Sequence, residues 1–207
     1  MESLALPLQI LAGIALAACA GLRAFVPLFV AGLAARFEVA QFVLGDHFLP
    51  NSGFAWIGST PALIVFGTAV VVELLADKIP VVDHLLDLLQ TFVRPLAGLL
   101  VMAVSLESLS PMSAAIVGLL VGSPVAAGVH AAKAKIRLAS TISTAGLASP
   151  FLSVFEDLLA LVGSVLAVVA TLVAVLLIVF GVVLTWRLFK GFRRRVVAIE
   201  QEYTQRP

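Results

Sequence analysis

The sequence has little charge and almost no cysteine. Only 12% of the 207 residues are Asp, Glu, Lys or Arg, about half the share found in soluble domains. Apolar residues make up 61% of the chain, and the mean hydropathy is +1.14. This composition excludes an ordinary water-soluble domain and predicts a protein whose first partner is the lipid bilayer. The single cysteine, Cys19, excludes a disulfide within one chain.

The motifs of several protein classes are missing as well. The chain has no His-x3-His pair, no paired cysteines, no glycine-rich phosphate loop and no G-x-S-x-G elbow. Zinc binding, nucleotide binding and serine hydrolysis therefore have little support. Asp83 and Asp87 lie one helical turn apart, but two carboxylates alone are a weak signal for a hard cation. We predict no metal and no cofactor, and the sequence contains no recognisable nucleic-acid-binding module.

Long apolar runs are the dominant feature of what is present. They extend over Leu4–Val30, Pro61–Leu75, Leu96–Val104 with the residues before it, Pro111–Val129 and Phe151–Trp186. A helix needs about 20 such residues to cross a bilayer, so we predict an all-α polytopic membrane bundle of five or six segments. The number depends on whether the last run folds back near Gly163. We predict one transmembrane domain over residues 1–186, and the basic tail 187–207 predicts a cytoplasmic C-terminus.

Prolines predict where these helices are interrupted. A continuous helix from Leu4 to Phe37 would be too long for a simple crossing, and Pro27 and Pro80 both lack the amide donor that a helix interior needs. Two pairs of segments also resemble each other: residues 20–24 match 127–131, and the Pro80 helix matches the Pro150 helix. Such matches arise easily by chance in a chain so rich in Ala, Leu and Val. Internal duplication and chance similarity therefore both stay open as explanations.

The few charges are clustered in sequence, and both signs are represented. The acids are Glu73, Asp77, Asp83, Asp87, Glu156 and Asp157, and the bases are Arg23, Lys78, Arg94, His130, Lys133 and Arg137. An ionisable side chain in hydrocarbon costs a few kcal/mol unless it faces a partner or a watered cavity. We therefore expect these residues to meet in space and take them as the candidate binding site.

Three stretches resemble a family of small multi-pass bacterial inner-membrane proteins known as a domain of unknown function. They are Gly21-Leu-Arg-Ala-Phe-Val-Pro27, the segment from Glu73 to Pro95 with its Ala-Asp-Lys-Ile-Pro core, and the segment from His130 to Asp157 with its Ser-Thr-x-Ser-Thr run. The similarity covers nearly the whole chain. It implies a bacterial inner-membrane location and supplies no catalytic residue.

The features together favour transport or permeation of a small charged solute or a lipid head group. Broken helices, clustered charge and the small residues Gly118, Gly122 and Gly128, which allow close backbone approach, are ingredients of binding sites at the bilayer midplane. The spacing of Gly118 and Gly122 is also typical of plain helix packing. Two alternatives stay open. The charges could hold a lipid phosphate for a membrane enzyme, or they could neutralise one another in a purely structural or assembly protein.

Overall fold

The computed structural model describes residues 2–37, 51–76, 80–144 and 149–169, and it confirms an all-α bundle. The elements are α1 (Glu2–Leu22), α2 (Phe25–Phe37), a 3-10 helix (Ser52–Gly58), α3 (Thr60–Ala76), α4 (Pro80–Ser105), α5 (Pro111–Val117), a π-helical segment (Gly118–Gly122), α6 (Ser123–Thr144) and α7 (Ser149–Val169). The predicted boundary at residue 186 and the basic tail lie outside the described residues.

Three stretches of helix are long and apolar enough to cross a bilayer. They are Leu88–Ser105 in α4, Pro111–Ser143 through α5 and α6, and Phe151–Val168 in α7. A fourth crossing results if the 3-10 helix and α3, which meet at a bend of 62°, count as one span. The remaining apolar helices, Leu6–Leu22 and Phe25–Phe37, are shorter. The bundle therefore combines full crossings with two short arms.

Proline and its neighbours set the helix starts as predicted. Pro80 is the first residue of α4, and Pro111 follows Ser110, whose hydroxyl accepts a hydrogen bond from the Ser113 amide at 3.2 Å. The break expected near Pro27 lies at Arg23–Ala24, and Pro27 occupies the first turn of α2. A first turn tolerates proline because its amide would have no partner within the helix.

The two short arms form a hairpin, because α1 begins and α2 ends at the same end of the bundle. Near the start of α1, the Gln9 side-chain oxygen accepts from the Ser108 amide at 3.1 Å. At the end of α2, Arg36 Nη1 donates to Thr60 Oγ1 at 2.7 Å. The 3-10 helix joins these two places, and Asn51, which precedes it, bonds to the α4–α5 loop. We call this end the open end of the hairpin.

The tip of the hairpin contacts helices that are apolar enough to cross a bilayer. Arg23 and Ala24 interrupt the helix there, and Arg23 contacts Ser153 and Asp157, which lie within the apolar stretch Phe151–Val168 of α7. In hydrocarbon, irregular backbone is tolerated only where protein or a polar cavity surrounds it, since lipid offers no hydrogen bonds. The hairpin therefore requires polar partners from the other helices.

Close backbone approach explains the small residues of α4 and the π-helical segment. A Cβ built on Gly122 would lie 2.3 Å from the Gly98 carbonyl oxygen, and one built on Gly118 would lie 2.5 Å from that of Leu99. Gly128, by contrast, has nothing within 4 Å of a built Cβ. The predicted packing role of Gly118 and Gly122 is confirmed, whereas Gly128 makes no such contact.

This contrast gives a matched pair of substitutions. We expect Gly122→Ala to lower the free energy of unfolding by about 1–3 kcal/mol, because the backbones of two packed helices must separate. Gly128→Ala should leave it unchanged or raise it by up to about 1 kcal/mol, since alanine favours helix. Detergent-induced unfolding of the purified variants measures both, and equal stabilities would contradict this packing.

The directions of the helices bear on the proposed duplication. Gly21 of α1 packs against Ala126 and Val129 of α6, and Lys133 of α6 bonds to the carbonyl of Leu22, so α1 and α6 run the same way. The helices α4 and α7 also share one direction, because each is antiparallel to α1. A duplication would therefore relate the halves by an axis along the bundle, and it stays a hypothesis.

Candidate functional site

All predicted site residues whose side chains the structure describes meet around the hairpin tip. We call this set the tip cluster: Arg23, Glu73, Arg94, His130, Lys133, Arg137, Glu156 and Asp157. Asp77 and Lys78 lie outside the described residues, as do the side chains of Asp83 and Asp87. The convergence expected from the cost of isolated charges in hydrocarbon is present, and the role of these residues in binding stays a prediction.

Helical periodicity places the basic residues of α6 on one face. His130, Lys133 and Arg137 follow one another at spacings of three and four residues, so they line up along the helix. They lie within the apolar span Pro111–Ser143. Glu156 and Asp157 of α7 similarly lie within the span Phe151–Val168. These five residues of the tip cluster therefore lie on helices that are apolar enough to cross a bilayer.

Glu73 of α3 caps the start of α2 from outside. Its Oε1 accepts from the Ala24 amide at 3.1 Å, and its Oε2 accepts from the Phe25 amide at 3.3 Å. The first amides of a helix have no partner within the helix, and that end of the helix dipole is positive. A buried carboxylate supplies both the missing acceptors and the matching charge. Glu73 is only 2% exposed, so the two amides bond to its carboxylate and not to water.

Cations cap the end of α1 in the same way. Lys133 Nζ donates to the Leu22 carbonyl at 3.1 Å, and Arg94 Nη1 donates to the Gly21 carbonyl at 3.4 Å. The last carbonyls of a helix also lack internal partners, and their end of the dipole is negative. The cations at the end of α1 and the carboxylate at the start of α2 therefore complement the dipoles of the two helices on either side of the break.

Arg23, at the break itself, connects α3 with α7. Its Nη1 donates to the Glu73 carbonyl at 3.3 Å, and its Nη2 donates to Ser153 Oγ at 3.2 Å and pairs with Asp157 Oδ1 at 2.5 Å. The Arg23 side chain is fully buried, whereas that of Asp157 is 30% exposed. The tip cluster therefore extends from a closed interior to a partly exposed carboxylate.

Glu156 holds two cations of α6. Its Oε2 lies 3.0 Å from Lys133 Nζ and 3.0 Å from Arg137 Nη2, and its Oε1 accepts from Arg137 Nε at 3.3 Å. The Arg137 contact uses two nitrogens and both oxygens, the paired arrangement that makes Arg–carboxylate bonds strong. This triad ties α6 to α7.

Arg94 of α4 and His130 of α6 form another part of the tip cluster. Arg94 donates to Gln90 Oε1 and to His130 Nδ1. An arginine is always a donor, so Nδ1 accepts, and this assigns the proton of a neutral imidazole to Nε2. His130 Nε2 lies 3.5 Å from the hydroxyl of the exposed Thr91. These contacts connect buried Arg94 with Thr91 on the protein surface.

The sequence interpretation left out Gln90, which joins the two halves of the cluster. Gln90 Nε2 donates to Glu73 Oε1 at 2.9 Å, and its side-chain oxygen accepts from Arg94. Its position one turn before Arg94, on the polar face of α4, was the available signal. Ser153 was also left out as a site residue. The backbone groups of the hairpin tip could not be found from sequence, because any residue type supplies them.

Comparison with known proteins gives one match. The model of a family described as a domain of unknown function, DUF4126, matches residues 10–191. The matched region contains every residue of the tip cluster. It also contains both arms of the hairpin except for the first turns of α1. No curated protein and no solved structure matches the chain.

Proposed function

We propose that this chain, which belongs to the DUF4126 family of domains of unknown function, moves a small charged solute or a lipid head group across the membrane through the tip cluster. One observation carries the proposal. The chain breaks between α1 and α2 beside helices that are apolar enough to cross a bilayer, and the freed backbone groups face charged side chains from α3, α4 and α6. Discontinuous helices of this kind form the solute sites of many transporters.

The chemistry of the break suits ions of either sign. Amides at the start of α2 can bind an anion, and carbonyls at the end of α1 can coordinate a cation. These groups are held by Glu73, Arg94 and Lys133. A charged solute would enter by exchanging with one of these side chains, which keeps every group bonded throughout.

Access to the cluster supports solute entry. Asp157 has a side chain that is 30% exposed, and Thr91 is exposed beside His130. A solute would reach the charged groups of the cluster at these two residues.

Loss of flux in Asp157→Asn tests this function. The proteoliposomes are loaded in turn with potassium chloride, with potassium phosphate and with a pH-sensitive dye that reports protons. We expect wild-type protein to carry at least one of the ions tested. The Asn variant should fold and lose about tenfold to a hundredfold in rate, since a charge-assisted contact contributes about 1.5–3 kcal/mol. Lys135→Gln, an exposed change on α6, is the control. Wild-type flux equal to that of empty liposomes for every ion would contradict transport of a small ion.

The structural interpretation has one observation in its favour, namely the triad in which Glu156 pairs with both Lys133 and Arg137. Such pairs could serve only to join α6 to α7. In that case, substitutions in the triad should change stability and leave no flux to be lost. The enzyme interpretation, with a lipid phosphate as substrate, stays a prediction that turnover of a phospholipid by purified protein would test.

The expected location also belongs to this proposal. Apolar helices able to cross a bilayer support a multi-pass membrane protein. We propose the bacterial inner membrane, with residues 187–207 in the cytoplasm, because five basic residues follow the last apolar run and such clusters remain on the cytoplasmic side. Protease digestion of the tail in inverted vesicles, but not in intact spheroplasts, is the expected result.

A further inference from the structure

An apolar groove runs between α2 and α7, away from the tip cluster. Its walls include Phe29, Leu33 and Phe37 of α2 and Leu161, Val165 and Val168 of α7, and its volume is about 380 Å³. Every residue that lines it is apolar. The stretch from Phe29 to Phe37 is about 12 Å long at about 1.5 Å per residue. That length is close to the hydrocarbon depth of one leaflet, about half of 30 Å.

An exposed positive charge lies at one end of this groove. Arg36 is next to Phe37 and exposed, and its guanidinium donates to Thr60 Oγ1. In the described part of the chain, no carboxylate lies within ion-pairing distance of Arg36, unlike Arg23, Lys133 and Arg137. A guanidinium has five N–H donors, so several remain for a planar or tetrahedral anion.

Neighbouring residues place Arg36 at the level of the lipid head groups. The 3-10 helix packs beside it, since a Cβ built on Gly58 would lie 3.3 Å from the Arg36 amide nitrogen. That helix carries Trp56, which is 49% exposed and has its ring centroid 6.3 Å from that of Phe66. Tryptophan is enriched where the hydrocarbon meets the head groups. The open end of the hairpin is therefore at the interface.

We propose that the α2–α7 groove binds one anionic phospholipid, with an acyl chain in the groove and the phosphate on Arg36. The apolar walls suit the chain, and the cation at the interfacial end suits the head group. This complementarity of charge selects an acidic lipid over a zwitterionic one, whose choline would lie near the same cation. The site is independent of the tip cluster and of the solute it carries.

Two substitutions with matched controls test the site. Val165 lines the groove and Val162 does not, although both lie on α7 and are 43% and 42% exposed. Val165→Trp should block the groove, whereas Val162→Trp adds the same bulk elsewhere. Arg36→Gln removes the interfacial charge, and Lys135→Gln removes an exposed charge from α6.

The measurement is native mass spectrometry of the delipidated full chain with dioleoylphosphatidylglycerol or dioleoylphosphatidylcholine. We expect wild-type protein to bind the glycerol lipid about fivefold more tightly, the effect of one Arg at a membrane surface. Arg36→Gln should abolish that preference, and Val165→Trp should weaken binding of both lipids about tenfold. The Val162 and Lys135 variants should bind as wild type does.

Three results would overturn the proposal. Equal wild-type affinity for the two lipids would remove the role of Arg36. Equal effects of Val165→Trp and Val162→Trp would show that the groove is not the site. Conversion of a dimer to a monomer by Val165→Trp, with lipid binding unchanged, would assign the groove to a second copy of the chain. Should Val165→Trp fail to fold, the lipid preference of Arg36→Gln, a surface change, still decides.

Discussion

Glu73→Ala should destabilise the protein by about 3–5 kcal/mol, the cost of removing one partner from a buried charged network. The substitution leaves the Ala24 and Phe25 amides without acceptors and removes the carboxylate that Gln90 bonds. It also leaves the start of α2 without a negative charge. Unfolding of purified protein by SDS titration in mixed micelles measures the loss.

Glu73→Gln provides the graded comparison. Its amide oxygen can still accept one of the two amides, so we expect a smaller loss of about 1–3 kcal/mol. Lys135→Ala, which is exposed on α6, should change stability by less than about 0.5 kcal/mol. A stability of Glu73→Ala within that same margin would show that the α2 start needs no cap from α3.

Glu156→Ala should have an effect of similar size for a different reason. It leaves Lys133 and Arg137 facing each other without the carboxylate between them, and the Lys133 side chain is only 4% exposed. We expect a loss of about 3–5 kcal/mol in the free energy of unfolding. Whereas Glu73 accepts hydrogen bonds from two backbone amides, Glu156 pairs with two cationic side chains.

The double mutant separates mutual neutralisation from other causes. Lys133→Met removes one of the two cations left by Glu156→Ala, so the combined loss should be smaller than the sum of the single losses by about 0.5–3 kcal/mol. SDS titration of the four proteins in the cycle gives this coupling. Additive losses would mean that Lys133 and Glu156 contribute independently.

Local signals in the sequence predicted the break near Pro27 and the helix start at Pro80, whereas Pro7 and Pro95 lie inside helices. Pro80 and Pro111 begin helices because proline fixes a helical backbone angle and needs no hydrogen-bond partner in a first turn. Gly21 and Pro27 bracket the break at Arg23–Ala24. The small residues Gly118 and Gly122 indicated close packing, and the structure adds a π-helical segment that no residue type signals.

The direction of the chain after the break could not be predicted. The residues of α2 are almost all apolar, so they are compatible with continuing across the bilayer or with turning back. The reversal is decided by contacts far away in sequence, such as Glu73 with the Ala24 amide. Charge balance predicted that the ionisable groups converge, because isolated charges in hydrocarbon are costly. Charge balance could not predict that Arg23 pairs with Asp157, since the sequence contains several candidate acids and several candidate bases.

The reversal of the chain at Arg23–Ala24 is the claim from which the tip cluster and the proposed site follow. Single cysteines at Pro7, Phe37 and Ser143, which are all exposed, test it in a Cys19→Ala background with a membrane-impermeant maleimide applied to sealed vesicles of each orientation. A hairpin predicts that Pro7→Cys and Phe37→Cys are labelled from the same side and Ser143→Cys from the opposite side. Labelling of Pro7→Cys and Phe37→Cys from opposite sides would mean that α1 and α2 together cross the bilayer, and would contradict the account.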